Sequence, residues 1–92
     1  MSEPAATRTV VVTNRQGIHA RPASEIAKLA RTFDAKVVIA KDFEQVDATD
    51  VLQLLMLGAG QGESLRLEAT GRQAEEALDA LEQLFVRNFD ED

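Results

Sequence analysis

The sequence predicts an α+β fold: an open-faced β-sandwich whose four-stranded antiparallel sheet has the order 1-4-2-3, with three helices on one face and the element order βαββαβα. Three observations predict it. Apolar residues change period along the chain, from strand-like runs to helical spacing and back. A helix joins the first two strands, which should therefore run parallel with room for another strand between them. The segment "SLRLEATG" (Ser64 to Gly71) alternates apolar and polar residues cleanly, and its polar side suggests a sheet with one open face.

Each element has its own signal. "TRTVVVTN" (Thr7 to Asn14) is short, β-branched and bounded by Asn14 and Gly17, which makes it the first strand. From Ala20 the stripe Ala23, Ile26, Ala27, Ala30 and Phe33 marks an amphipathic helix, and Pro22 suits its first turn, where a missing N–H costs nothing. "AKVVIAK" (Ala35 to Lys41) returns to strand character, Asp42 allows a turn, and "FEQV" (Phe43 to Val46) can be a short returning strand. Asp47 and Asp50 are both plausible N-caps for a helix that Gly58, Gly60 and Gly62 bring to an end. The fourth strand inserts antiparallel between the first two, with the third strand beside the second. Ala74, Ala77, Leu78, Leu81, Leu84 and Phe85 mark the last long helix. Residues 1–92 are expected to form one domain, with 1–6 and 88–92 as loose tails; "NFDED" reads as an acidic fray.

Composition narrows the function. The chain of 92 residues has no cysteine, which excludes disulfides and thiolate metal sites, and its single histidine makes a zinc site improbable. A net charge of −6 repels a phosphate backbone, so nucleic acid is not an expected partner. No apolar run approaches bilayer length, and "MSEPAATR" lacks the pattern of an export signal. No membrane association, no cofactor and no metal are expected, and the protein is expected in the cytoplasm as a monomer.

The sole histidine stands just ahead of a helix, in "NRQGIHARPASEIAKLA". A helix start presents unsatisfied N–H groups and roughly half a positive charge, a ready place for an anion. Arg21 adds a guanidinium, and Gly17 permits a sharp turn that leaves the ring accessible. A neutral imidazole is a competent nucleophile near physiological pH. A phosphoryl group acquired there would bring up to about two negative charges. Each helix-end interaction contributes about 0.3–1 kcal/mol and a charge-assisted hydrogen bond roughly 1.5–3 kcal/mol. Sums of that size hold a phosphoryl group without trapping it. Against this stands the plain alternative of a polar cap residue without chemistry, which Arg21, Pro22 and the immediate helical pattern argue against.

"GIHARPA" (Gly17 to Ala23) resembles the phosphorylation-site motif of HPr, the histidine-containing phosphocarrier family of the bacterial phosphotransferase system. "VDATDVLQLLMLGAGQGESLRLEATG" (Val46 to Gly71) resembles that family's second helix and fourth strand, and "EEALDALEQL" its last helix. The resemblance implies an open-faced sandwich of the same element order. It further implies that His19 accepts a phosphoryl group on Nδ1 from phosphorylated enzyme I, charged by phosphoenolpyruvate, and passes it to a histidine of an enzyme IIA protein. Arg21 would assist, and the helix N-terminus at Ala20, Arg21, Pro22 and Ala23 would hold the phosphate.

"VLQLLML" (Val51 to Leu57) is apolar almost all round, so part of it must face away from the core. Leu54 and Leu57 are expected inside. Val51, Leu52 and Leu55, with Ser24 from the first helix, are expected on the partner-docking surface, which is what the resemblance implies. Many Gram-positive family members carry a kinase-regulated serine where this chain has Asp50; the residue is either a helix cap or a constitutive mimic of phosphoserine. "LLML" and "FDED" resemble the nitrogen-related NPr branch, whereas "GAGQG" looks closer to sugar-system carriers. A regulatory binding module that docks through the apolar helix without phosphotransfer is the competing reading, and retention of His19 argues against it. Asp42, Glu44, Asp47 and Glu63 show no ligand spacing and read as solvated surface charge.

Overall fold

The structure, a computed structural model, describes residues 5–91. Strands β1 (Ala5–Val11), β2 (Lys36–Lys41), β3 (Glu44–Asp47) and β4 (Ser64–Thr70) and helices α1 (Ala20–Ala30), α2 (Val51–Leu57) and α3 (Ala74–Val86) follow the order βαββαβα. The sheet order is β1-β4-β2-β3, and every neighbouring pair is antiparallel. The predicted topology is therefore the observed one. Leu65, Leu67 and Ala69 of β4 point into the core, while Ser64 and Arg66 are exposed on the opposite face.

The helices cover the inner face through the stripes read from their spacing. Ala23, Ile26, Ala27 and Ala30 of α1 are fully buried, and all six predicted core residues of α3 are buried. Phe33 lies beyond the end of α1, half-buried against the same core. Arg8 of β1 ties the sheet to α3 by ion pairs to Glu75 (2.7 Å) and Asp79 (2.9 Å).

Both expected tails need correction. Residues 1–4 of the first lie outside the described residues, but Ala5 and Ala6 belong to β1, opposite Thr70 and Ala69, and Ala6 is buried. A backbone ladder continues as long as its partner strand does, whatever the side chains. At the other end, β1 stops at Val11, and Val12 leaves the sheet to bond the loop before β4 (Val12 N to Glu63 O, 2.9 Å; Gly62 N to Val12 O, 2.7 Å).

At the C-terminal end, Asp92 lies outside the described residues, but the acidic segment 88–91 is packed rather than frayed. Phe89 is only 1% exposed and meets Phe85 edge-on, with ring centroids 4.9 Å apart. It extends the α3 stripe by one turn in sequence, but the backbone does something else. Asn88, Phe89 and Asp90 have φ of 56°, 53° and 59°, one left-handed turn of three non-glycine residues. Such a conformation costs about 1–2 kcal/mol for a residue such as Phe89, less for Asn88 and Asp90. Burying a phenylalanine ring returns about 1.5–3 kcal/mol, and the edge-on aromatic pair about 0.5–1.5 kcal/mol. Thr13 donates a hydroxyl hydrogen bond to Asn88, and the turn closes with Asp90 N to Arg87 O (2.9 Å) and Glu91 N to Asn88 O (2.8 Å). Burial and hydrogen bonding together hold a backbone that local preference would reject.

Candidate functional site

Loop 12–19 positions the histidine. Asn14 is fully buried, and its Nδ2 donates to Gly17 O at 2.7 Å, closing the loop on itself. Gly17 has φ 69°, and a Cβ there would lie 2.5 Å from the carbonyl oxygen of Ala59. Only glycine permits both that conformation and that approach. Ile18 N then donates to the same Ala59 oxygen at 2.9 Å, which sets the loop against the segment that follows α2.

His19 is the N-cap residue of α1, with extended backbone and no side-chain capping bond. The first helical bond runs from Ala23 N to His19 O (3.0 Å), so the amides of Ala20 and Arg21 lie outside the ladder. The first turn holds no acidic residue, and Pro22 at its third position is buried and has no N–H to satisfy. The imidazole, 33% exposed, lines an open cleft with Arg15, Gln16, Arg21, Asp90 and Glu91. Both predicted site residues, His19 and Arg21, therefore face one cleft beside a helix start.

Glu91 is the residue that sequence reasoning missed. Its two carboxylate oxygens lie 3.1 and 3.0 Å from His19 Nε2. Asn14 Nδ2 donates to it at 3.2 Å, and Arg21 Nη1 stands 3.8 Å away. The hydrogen bond from His19 is the main cause that holds the Glu91 carboxyl below its ordinary range, with Asn14 and the charges of His19 and Arg21 adding to it and desolvation opposing. Arg21 Nε pairs with Glu25 one turn on (3.2 Å), and Nη2 reaches Phe89 O at 3.4 Å. One signal for this arrangement was present: Phe89 stands four residues after Phe85, in phase with the α3 stripe. Asn14, three residues before Gly17, had a turn signature of its own.

The second expected surface is α2. Leu54 and Leu57 are buried, as expected. Leu52 is 66% and Leu55 38% exposed, and Ser24 of α1 is exposed too. Val51 differs from expectation: it is half-buried and packs against the core cluster, on the inner side of α2 with Leu54. Met56, 74% exposed, takes its place in the apolar patch. Through Ala59 the end of α2 adjoins the histidine loop. Asp50 is the N-cap of α2: its side chain accepts from Gln53 N at 3.1 Å and from Gln53 Nε2 at 3.2 Å. Asp47 braces the turn before it by accepting from Thr49 N and Oγ1, and these bonds hold its carboxyl below the usual range.

Residues 6–87 match the family model described as the PTS HPr component phosphorylation site. The chain belongs to the HPr family. It is 45% identical over 86 residues to the phosphocarrier protein NPr of Escherichia coli K12, covering 92% of this chain and 96% of that one. Against the phosphocarrier protein HPr of Treponema pallidum the identity is 39% over 85 residues, covering 92% of this chain and 97% of the relative. Among solved structures, HPr-C-His of Thermoanaerobacter tengcongensis superposes with a TM-score of 0.91 at 33% identity, covering 95% of this chain and 98% of that one. An HPr dimer from the same organism matches with a TM-score of 0.74 at 35% identity, covering 85% of this chain and 90% of that one. The fold, the element order and the membership in the phosphocarrier family of the phosphotransferase system thus agree. No helix among the described residues is long and apolar enough to cross a membrane.

Proposed function

We propose that this member of the HPr family carries a phosphoryl group on Nδ1 of His19. It takes the group from phosphorylated enzyme I, charged by phosphoenolpyruvate, and delivers it to a histidine of an enzyme IIA protein. The observation that carries the reading is the histidine's place as the N-cap of a helix whose first turn has neither a side-chain cap nor an acid. The amides of Ala20 and Arg21, the Arg21 guanidinium and the helix dipole would then share the charge of the phosphoryl group. Leu52, Leu55 and Met56 form the apolar centre of the docking surface, with Val51 supporting it from beneath, Ser24 alongside and Arg21 at the rim. The protein acts in the cytoplasm as a monomer that turns over only with its partners.

The identity to NPr of E. coli supports the nitrogen-related branch as the source of the donor and acceptor. Asp50 works as a helix cap, and Asp50→Ser should accept phosphate from enzyme I at the same rate as the unaltered protein. A rate that rises with serine would instead mark Asp50 as a standing phosphoserine mimic. The decisive test is incubation with phosphoenolpyruvate and purified enzyme I from each branch. An acid-labile, base-stable phosphoprotein that His19→Ala abolishes is expected, and its absence with both enzymes would remove the carrier reading.

A further inference from the structure

A carboxylate in a cleft meant to receive an anion needs a reason. Glu91 stands there, and its orientation supplies one. Both of its oxygens face Nε2, the ring nitrogen remote from the nucleophilic one, at 3.1 and 3.0 Å. A carboxylate can only accept, and a neutral imidazole has a single N–H. The proton is therefore fixed on Nε2 and the lone pair on Nδ1. The carboxylate is itself fixed: its side chain is 14% exposed, Asn14 Nδ2 lies 3.2 Å away, and its backbone is set by the left-handed turn that buries Phe89.

We propose that Glu91 is a positioning residue for phosphoryl transfer, one that selects the tautomer with a free Nδ1 lone pair and faces the charge the ring acquires. This rests on the carrier reading given above. In the transfer, the Nδ1 lone pair forms the new N–P bond while the donor's N–P bond breaks and its electron pair returns to the donor histidine. The Nε2 proton stays in place, so the acceptor ring becomes a phosphoimidazolium whose positive charge lies against the Glu91 carboxylate. Delivery reverses the step: a ring still protonated on Nε2 departs as a neutral imidazole, the better leaving group. One contact thus serves acceptance and delivery alike. Glu91 stays off the phosphate side because its anchor, the turn 88–90, holds it against Nε2.

The test uses the full chain and the variants Glu91→Gln, Glu91→Ala and Glu91→Asp. Nitrogen NMR of the imidazole at mildly alkaline pH reads the tautomer directly. The unaltered protein should show the proton on Nε2, and Glu91→Ala a mixture. Acceptance from enzyme I should slow roughly tenfold in Glu91→Ala, the low end of what losing an imidazole's outer partner costs in metal sites, with Glu91→Asp recovering part of the rate. Unchanged tautomer shifts, or an unchanged rate in Glu91→Ala, would overturn the proposal while phosphohistidine formation left the carrier reading standing. If the unaltered protein formed no phosphohistidine, the carrier reading would fall and with it the catalytic role of Glu91, whatever the tautomer.

Discussion

The starts of α1 and α2 solve the same physical problem in opposite ways. Each helix begins with amides that have no partner within the helix. At α2 the Asp50 carboxylate takes up one of them, Gln53 N, and supplies a negative charge to the dipole. At α1 the N-cap is His19, which makes no capping bond, and no acid stands in the first turn. A carboxylate beside this start, that of Glu91, bonds the imidazole. A cap such as that of Asp50 is worth about 1 kcal/mol. The chain takes that stability at α2 and forgoes it at α1, the start to which the proposed function assigns an anion.

Breaking the difference at its centre should give the largest effect: His19→Ala should abolish formation of phosphoprotein from phosphoenolpyruvate and enzyme I, read by radiolabel, with the thermal midpoint little changed. Arg21→Ala removes the guanidinium from the same cleft. A charge-assisted hydrogen bond of roughly 1.5–3 kcal/mol corresponds to about tenfold or more in rate, so acceptance should slow by at least that factor. The reverse experiment at α2, Asp50→Ala, should lower stability by about 1 kcal/mol in urea unfolding and leave phosphate acceptance untouched. Ala20→Asp places a carboxylate in the first turn of α1, beside the N-cap His19. Stability should rise by about 0.3–1 kcal/mol while acceptance from enzyme I falls; a faster acceptance would refute the account of α1 as an anion site.

The smallest effect concerns pH. The folded protein holds the Glu91 carboxyl below its ordinary value of 4.5, chiefly through the hydrogen bond from His19. A depressed carboxyl contributes stability that is present above its unfolded value and lost as pH falls through its folded one. Unfolding curves for the unaltered protein and Glu91→Gln should therefore differ at pH 6 and converge in acid. Curves that diverged in acid would give the linkage the wrong sign.

The candidate site was half legible. His19, Arg21 and Pro22 could be read because a helix start, its dipole and a nearby guanidinium are all local in sequence. Leu54 and Leu57 fell inside as spacing required, but Val51 is half-buried against the core, which packing and not spacing decides. Glu91 was read as part of a fray since the contact spans 72 residues and no local period encodes it.

By itself the sequence determined the element order, the sheet order and the histidine's place at a helix start, because the period of apolar residues and the hand of a strand crossover are consequences of backbone geometry. The tertiary structure alone decided that a left-handed turn after α3 would bury Phe89 and set Glu91 against Nε2. Phe89 adopts a backbone that its own preference disfavours, and only a core already assembled from distant segments can return the free energy that this requires.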